Sequence, residues 1–177
     1  MLLCLTDIHN RQGRKTMALR PLTSHLKPHK RIILPWDRNN FNEHGQKNLD
    51  QLLPHIGIVK VGYQAIYSRS PFSTVALDVI QHVTGPTGCG YFLDGKFKDI
   101  ENTVVETVKV ILGWPKPPRI ITIHATMRFK TIVAVLEAAK GTSTLIAGVS
   151  LLTDHDDADA RNIYNVDEAI EVVLDSA

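Results

Sequence analysis

Five short apolar runs, spaced by about 25 to 34 residues, constrain this chain more than any other feature. They are RIILPW (31–36), IGIVKVG (56–62), GYFLD (90–94), RIITIH (119–124) and STLIAGVS (143–150). Each is rich in Ile and Val and has the length of a strand. Their hydrophobicity is nearly continuous rather than alternating, which predicts strands buried on both faces, as in a parallel sheet. Helical patterns lie between them. Val104, Val105, Val108, Ile111 and Leu112 fall on one helical face. Asp99 or Asn102 is placed to cap that helix, and Gly113 with Pro115 to end it. Residues 128–139, 72–83 and 166–176 read as three further helices. Strand alternating with helix is an α/β pattern. A (β/α)8 barrel takes about 250 residues, so residues 31–177 offer room for about five units. A five-stranded doubly wound sheet fits the same length. The first strand has no GxGxxG after it, which weakens a dinucleotide-binding reading.

Residues 1–30 are polar, basic and weakly periodic. They read as an N-terminal extension, either a flexible tail, a segment before a second start at Met17, or an extra helix. The opening MLLCLTD is too short in apolar residues for a secretory signal, and no run reaches the length of a membrane span. With 44% hydrophobic and 21% charged residues the chain is not of the disordered class. A net charge of +2 gives no reason to expect nucleic acid or membrane as a partner. Cys4 and Cys89 form neither a CxxC pair nor a metal-type cluster, so no structural disulfide is expected and a reducing, cytoplasmic setting is.

Chemistry concentrates around the third run. Asp94 and Lys96 are two apart at its end, where a strand would put both on one face. Asp99 follows at the turn into a helix. Lys60 interrupts the apolar IVKVG, and a lysine on a buried strand is costly unless paired. Asp94, one strand away, is its natural partner. A DxK pair at a strand end is often only a surface ion pair; the recurrence of charge on two neighbouring strands is what argues against that.

FLDGKFKDIENT (92–103) matches the DxKxxDIxNT signature of orotidine 5'-monophosphate decarboxylases. ILPWD, IVKVG, TIHAT and LIAGVSLLT resemble the family's first, second, fourth and fifth strand segments, in order, over residues 31 to about 160. The resemblance implies a (β/α)8 TIM barrel of the ribulose-phosphate-binding type, truncated after about five strands, over residues 31–177. It implies cofactor-independent decarboxylation of orotidine 5'-monophosphate to UMP in de novo pyrimidine synthesis, with no metal. Lys60, Asp94, Lys96 and Asp99 would form the catalytic network. Asp37, Ile100, Thr103 and Thr153 would bind substrate, with Asp99, Ile100 and Thr103 reaching the site of the other subunit of a homodimer. His124 is read as structural.

Several positions depart from the family pattern. Met127 and Arg128 stand where glycines are usual, Asp154 where a serine is common, and Pro35 and Trp36 precede Asp37. No basic, glycine-rich phosphate motif replaces those of the family's later strands. Two alternatives follow. One is a metal-using sugar-phosphate lyase of the same superfamily, which shares DxKxxD but generally lacks the following IxNT. The other is a non-catalytic remnant, or a subunit whose barrel a partner polypeptide completes.

Overall fold

The computed structural model describes residues 2–9, 15–19, 27–68, 74–85, 88–152, 154–169 and 171. In chain order its elements are β1 (Leu2–His9), β2 (Lys15–Leu19), β3 (Ile33–Trp36), α1 (Glu43–Leu52), β4 (Ile58–Val61), α2 (Tyr63–Ile66), α3 (Val75–Val83), β5 (Gly90–Phe97), α4 (Glu101–Leu112), β6 (Ile120–His124), α5 (Phe129–Ala139), β7 (Leu145–Val149) and α6 (Asp157–Asp159). All five apolar runs form strands. Strands β3 to β7 follow one another through the sheet, whose order is β2-β1-β7-β6-β5-β4-β3. Each successive pair is joined through a helix, so these five run parallel, as the repeating unit of a (β/α) barrel requires. Residue contacts divide the chain into two compact units, one of residues 23–95 and 114–121, the other of residues 1–22, 96–113 and 122–177.

In the first of these units β3, β4 and β5 pair in parallel, with Ile33 opposite Ile58 and Ile58 opposite Gly90. Strand β4 is buried except at Lys60, and β5 is buried from Gly90 to Gly95. Strand β3 does not fit the two-face expectation: Ile33 and Pro35 are exposed and Trp36 alone is buried. Position explains this, because β3 ends the sheet, and Pro35, which has no N–H to give a second neighbour, is tolerated on an edge strand. Helix α1 starts at Asn42, whose side chain accepts from Gly45 N at 2.9 Å, and α3 starts at Thr74, which accepts from Leu77 N at 3.1 Å. An edge-to-face pair of Trp36 and Phe41, with ring centroids 5.3 Å apart, ties the end of β3 to the start of α1.

In the other unit α4 and α5 pack together, burying Val104, Val108 and Ile111 on one and Ile132 and Val135 on the other. Gly113 ends α4 as expected, its N–H bonding to the carbonyls of Lys109 and Val110. The start differs from the expectation: the N-cap position is Ile100, with no side-chain capping bond. Strands β1 and β2 pair antiparallel, and β1 lies antiparallel on β7, Leu2 opposite Val149 and Leu5 opposite Ile146. After β7, Asp156 forms a capping box with Asp159 on α6, which passes into a π-helical turn over Ala160–Tyr164. The helix expected over 166–176 falls largely outside the described residues. No helix among them is long and apolar enough to cross a membrane.

Candidate active site

Lys60 enters at the third position of β4, and its ammonium lies between two carboxylates. Lys60 Nζ is 3.1 and 3.2 Å from the two oxygens of Asp37 and 3.3 Å from Asp94 Oδ2. Asp37 follows directly on β3, and Asp94 sits on β5, so three consecutive parallel strands each supply one charge. The Asp94 side chain is 8% exposed, Lys60 21% and Asp37 51%. The lysine that interrupts IVKVG is therefore compensated as its burial demands. Gly62 completes the wall: a Cβ there would stand 3.2 Å from Asp37 Oδ1 and 3.8 Å from Lys60 Nζ. Next to it, the Tyr63 hydroxyl donates to the Gly95 carbonyl at 2.9 Å and holds the backbone just after Asp94.

At Lys96 the strand changes character. Its φ is 42°, an uncommon conformation for a residue with a side chain. The alternation that would place Asp94 and Lys96 on one face assumes extended backbone, and that assumption stops at Gly95. The turn is held by a bond from Lys96 N to Thr122 Oγ1, 2.9 Å, and Thr122 is fully buried on β6. Strain of this kind costs about 1–3 kcal/mol and persists only where surroundings enforce it.

Asp99 and Ile100 are exposed in the turn before α4, and Thr103 is exposed in its first turn. Asp99 does not cap the helix; its Oδ1 accepts from the adjacent Ile100 N at 2.6 Å. Ile100 is 72% exposed. Thr153 lies outside the described residues. Of the expected site residues, then, Lys60, Asp37 and Asp94 are in direct contact, while Asp99, Ile100 and Thr103 present themselves outward.

His124 ends β6. Burial lowers its pKa below the ordinary histidine value, and the nearby charges of Lys98, Lys96 and His155 lower it further. Its Nδ1 is buried without a hydrogen-bond partner. Among the described residues no group of three His, Cys, Asp or Glu side chains is placed to hold a metal ion. Sequence reasoning did not single out Gly62, Tyr63 or Thr122. The first two adjoin the lysine strand, and that adjacency was the available signal. Nothing in the sequence distinguishes Thr122 from any other strand threonine.

The model of the orotidine 5'-phosphate decarboxylase / HUMPS family matches residues 30–177. The chain belongs to this family. Among curated relatives it is 32% identical to the orotidine 5'-phosphate decarboxylase of Erythrobacter litoralis over 117 residues, 66% of this chain and 48% of that protein. It is 27% identical to the enzyme of the same name from Ehrlichia chaffeensis over 143 residues, 81% of this chain and 58% of that one. The chain thus spans about half the length of the curated decarboxylases it matches. A crystal structure of an uncharacterized conserved protein from Geobacillus kaustophilus superposes with a TM-score of 0.62 at 21% identity, covering 82% of this chain and 66% of that one. That likeness supports the fold, and the orotidine 5'-phosphate decarboxylase / HUMPS family is the one to which its barrel units are assigned.

Proposed function

We propose that the Lys60 cluster is the pyrimidine-facing part of an orotidine 5'-monophosphate decarboxylase site. The observation that carries this reading is a strand lysine clamped between Asp37 and the buried Asp94, with DGKFKDIENT running on from that aspartate. Asn102 and Thr103 favour the pyrimidine enzyme over the sugar-phosphate lyases of the family, which generally lack them.

In this reading the bond from C6 of orotidylate to its carboxylate breaks, CO2 leaves, and the electron pair stays on C6. The Lys96 ammonium stabilises that charge as it develops and then delivers its proton to C6, giving UMP. Asp94 keeps the lysines charged and oriented, since nearby opposite charge favours the ionised form. Asp37 and Lys60 hold the ribose hydroxyls. Asp99, Ile100 and Thr103, exposed in one chain, complete the site of a second copy, so the working form is a homodimer.

The test is loss of orotidylate absorbance by the purified chain, with Lys96→Ala alongside. The expected result is turnover that falls by about a thousandfold, the scale of losing a directly placed electrostatic group. A wild-type chain with no turnover, or a Lys96→Ala variant as fast as wild type, overturns the reading. Mixing Lys96→Ala with Asp99→Ala tests the shared site: each alone is inactive, and mixed dimers regain activity through one intact site.

A further inference from the structure

A single peptide plane, the one joining Gly95 to Lys96, is gripped at both ends by side-chain hydroxyls. Its carbonyl accepts from the Tyr63 hydroxyl at 2.9 Å, and its N–H donates to Thr122 Oγ1 at 2.9 Å. In a trans peptide these two groups point in opposite directions. Tyr63 begins α2 just after β4, and Thr122 lies on β6, so the grips come from the two neighbours of β5. Hydroxyls thus stand where a regular ladder would have backbone partners.

Lys96, next to that plane, has a φ of 42°. A chain that only had to turn here had a less strained way to do it. Glycine takes positive φ at no steric cost, and Gly95 is adjacent, yet the positive-φ glycines are Gly88 and Gly141. Among the described residues the other non-glycine with positive φ is Asn165, a residue type enriched in that region. A long, charged side chain is therefore kept in a conformation that its surroundings must enforce, and such strain gathers where a group is being aimed. Alternation no longer sets side-chain direction at this point, so the orientation of the plane sets where Lys96 leaves the strand. We infer that Tyr63 and Thr122 are positioning residues, which together fix the Gly95–Lys96 peptide so that the Lys96 ammonium is aimed at the reacting carbon. The inference rests on the decarboxylase reading for what Lys96 does, and on the two hydroxyls alone for how Lys96 is held. Releasing either end of one rigid plane lets it rotate, so the two hydroxyls act as a unit and their losses are coupled rather than additive.

The test compares the full chain with Tyr63→Phe, Thr122→Val, both together, and Thr122→Ser, which keeps the hydroxyl. Tyr63 is 51% exposed, so losing its hydroxyl leaves the core filled. The first readout needs no turnover: the HN–Hα coupling and Cα chemical shift of Lys96, measured by NMR, differ between left-handed and extended backbone. Tyr63→Phe and Thr122→Val each move both towards extended values, and Thr122→Ser leaves them as in the parent. The second readout is orotidylate turnover. Each lost hydroxyl lowers kcat by about ten- to a hundredfold, the scale of a misplaced reacting group, with KM little changed. The double variant loses less than the product of the singles. Tyr91→Phe is the control for a merely structural loss, since the Tyr91 hydroxyl also donates to a carbonyl, that of Lys116, at 2.9 Å. It leaves kcat and the Lys96 signals unchanged. The inference is overturned by Lys96 signals that stay put in Tyr63→Phe and Thr122→Val. Additive losses, a raised KM with kcat kept, or an equal loss of kcat in Tyr91→Phe overturn it too. A parent chain with no turnover sinks the decarboxylase reading instead, and the Lys96 signals then decide whether the hydroxyls hold the lysine.

Discussion

Asp37 and Asp94 touch the same ammonium but live in different dielectric surroundings. Removing a partner from a buried ion pair costs about 3–5 kcal/mol, whereas an exposed partner contributes about 0–1 kcal/mol. Asp94 is on the buried side and Asp37 is half exposed. Asp94→Ala is therefore expected to lower the urea midpoint by the equivalent of about 3 kcal/mol, and Asp37→Ala by under about 1 kcal/mol; equal losses would show that the burial difference does not govern the pair. Tyr91 offers a second measurement. Its hydroxyl donates to the Lys116 carbonyl at 2.9 Å, and burial pushes its pKa up to about 12. Unfolded, it titrates near 10. The buried neutral form thus contributes fully below pH 10, and that contribution is lost as pH rises towards 12. The expected loss is about 2–3 kcal/mol, at 1.4 kcal/mol for each pH unit. Urea unfolding at pH 9 and pH 11 should show about half of it, roughly 1.3 kcal/mol, and Tyr91→Phe should remove most of that difference.

Among the elements, α4 holds the clearest conflict between stability and use. Its N-cap position is an isoleucine that makes no capping bond and is largely exposed. Ser at such a position typically gains about 1 kcal/mol. Ile100→Ser is expected to raise the thermal midpoint of the isolated chain while weakening its dimer, measured by sedimentation equilibrium. A variant with both properties improved would argue against a contact role for Ile100. The elements also show what could be read in advance. The five parallel strands were legible because runs such as IGIVKVG are apolar on both faces, which few other structures require. Helix α5 was legible from its period and from Gly141 beyond it. Pairing of Lys60 with Asp94 was legible because a buried lysine demands a carboxylate. The open face of β3 was not, since burial depends on a neighbour that the local sequence does not name. Neither was the turn at Lys96, which a threonine on the next strand imposes, nor the capping box and π-helical turn after β7.

At the scale of the whole molecule, the sheet is mixed in direction. Its five parallel strands would leave the β7 edge unpaired, and an unpaired edge is a template for other chains. The antiparallel strand β1 takes that edge. Deleting residues 1–22 is expected to turn the chain towards self-association, seen as a concentration-dependent rise in light scattering, and Leu3→Pro should do so in part by breaking the ladder. A deletion variant that scatters no more than the parent chain would show that β1 does not protect the edge. The pairing of Leu2 with Val149 has a further consequence, one of timing. During synthesis β1 leaves the ribosome long before its partner exists, and the hairpin with β2 is the structure it can form at once. Its docking must close a loop of most of the chain, the slowest kind of contact to make. The last hydrogen bonds of the sheet are thus made by residues translated well before their partners, so protection of the β1 amides from exchange would report that β7 has been made and seated.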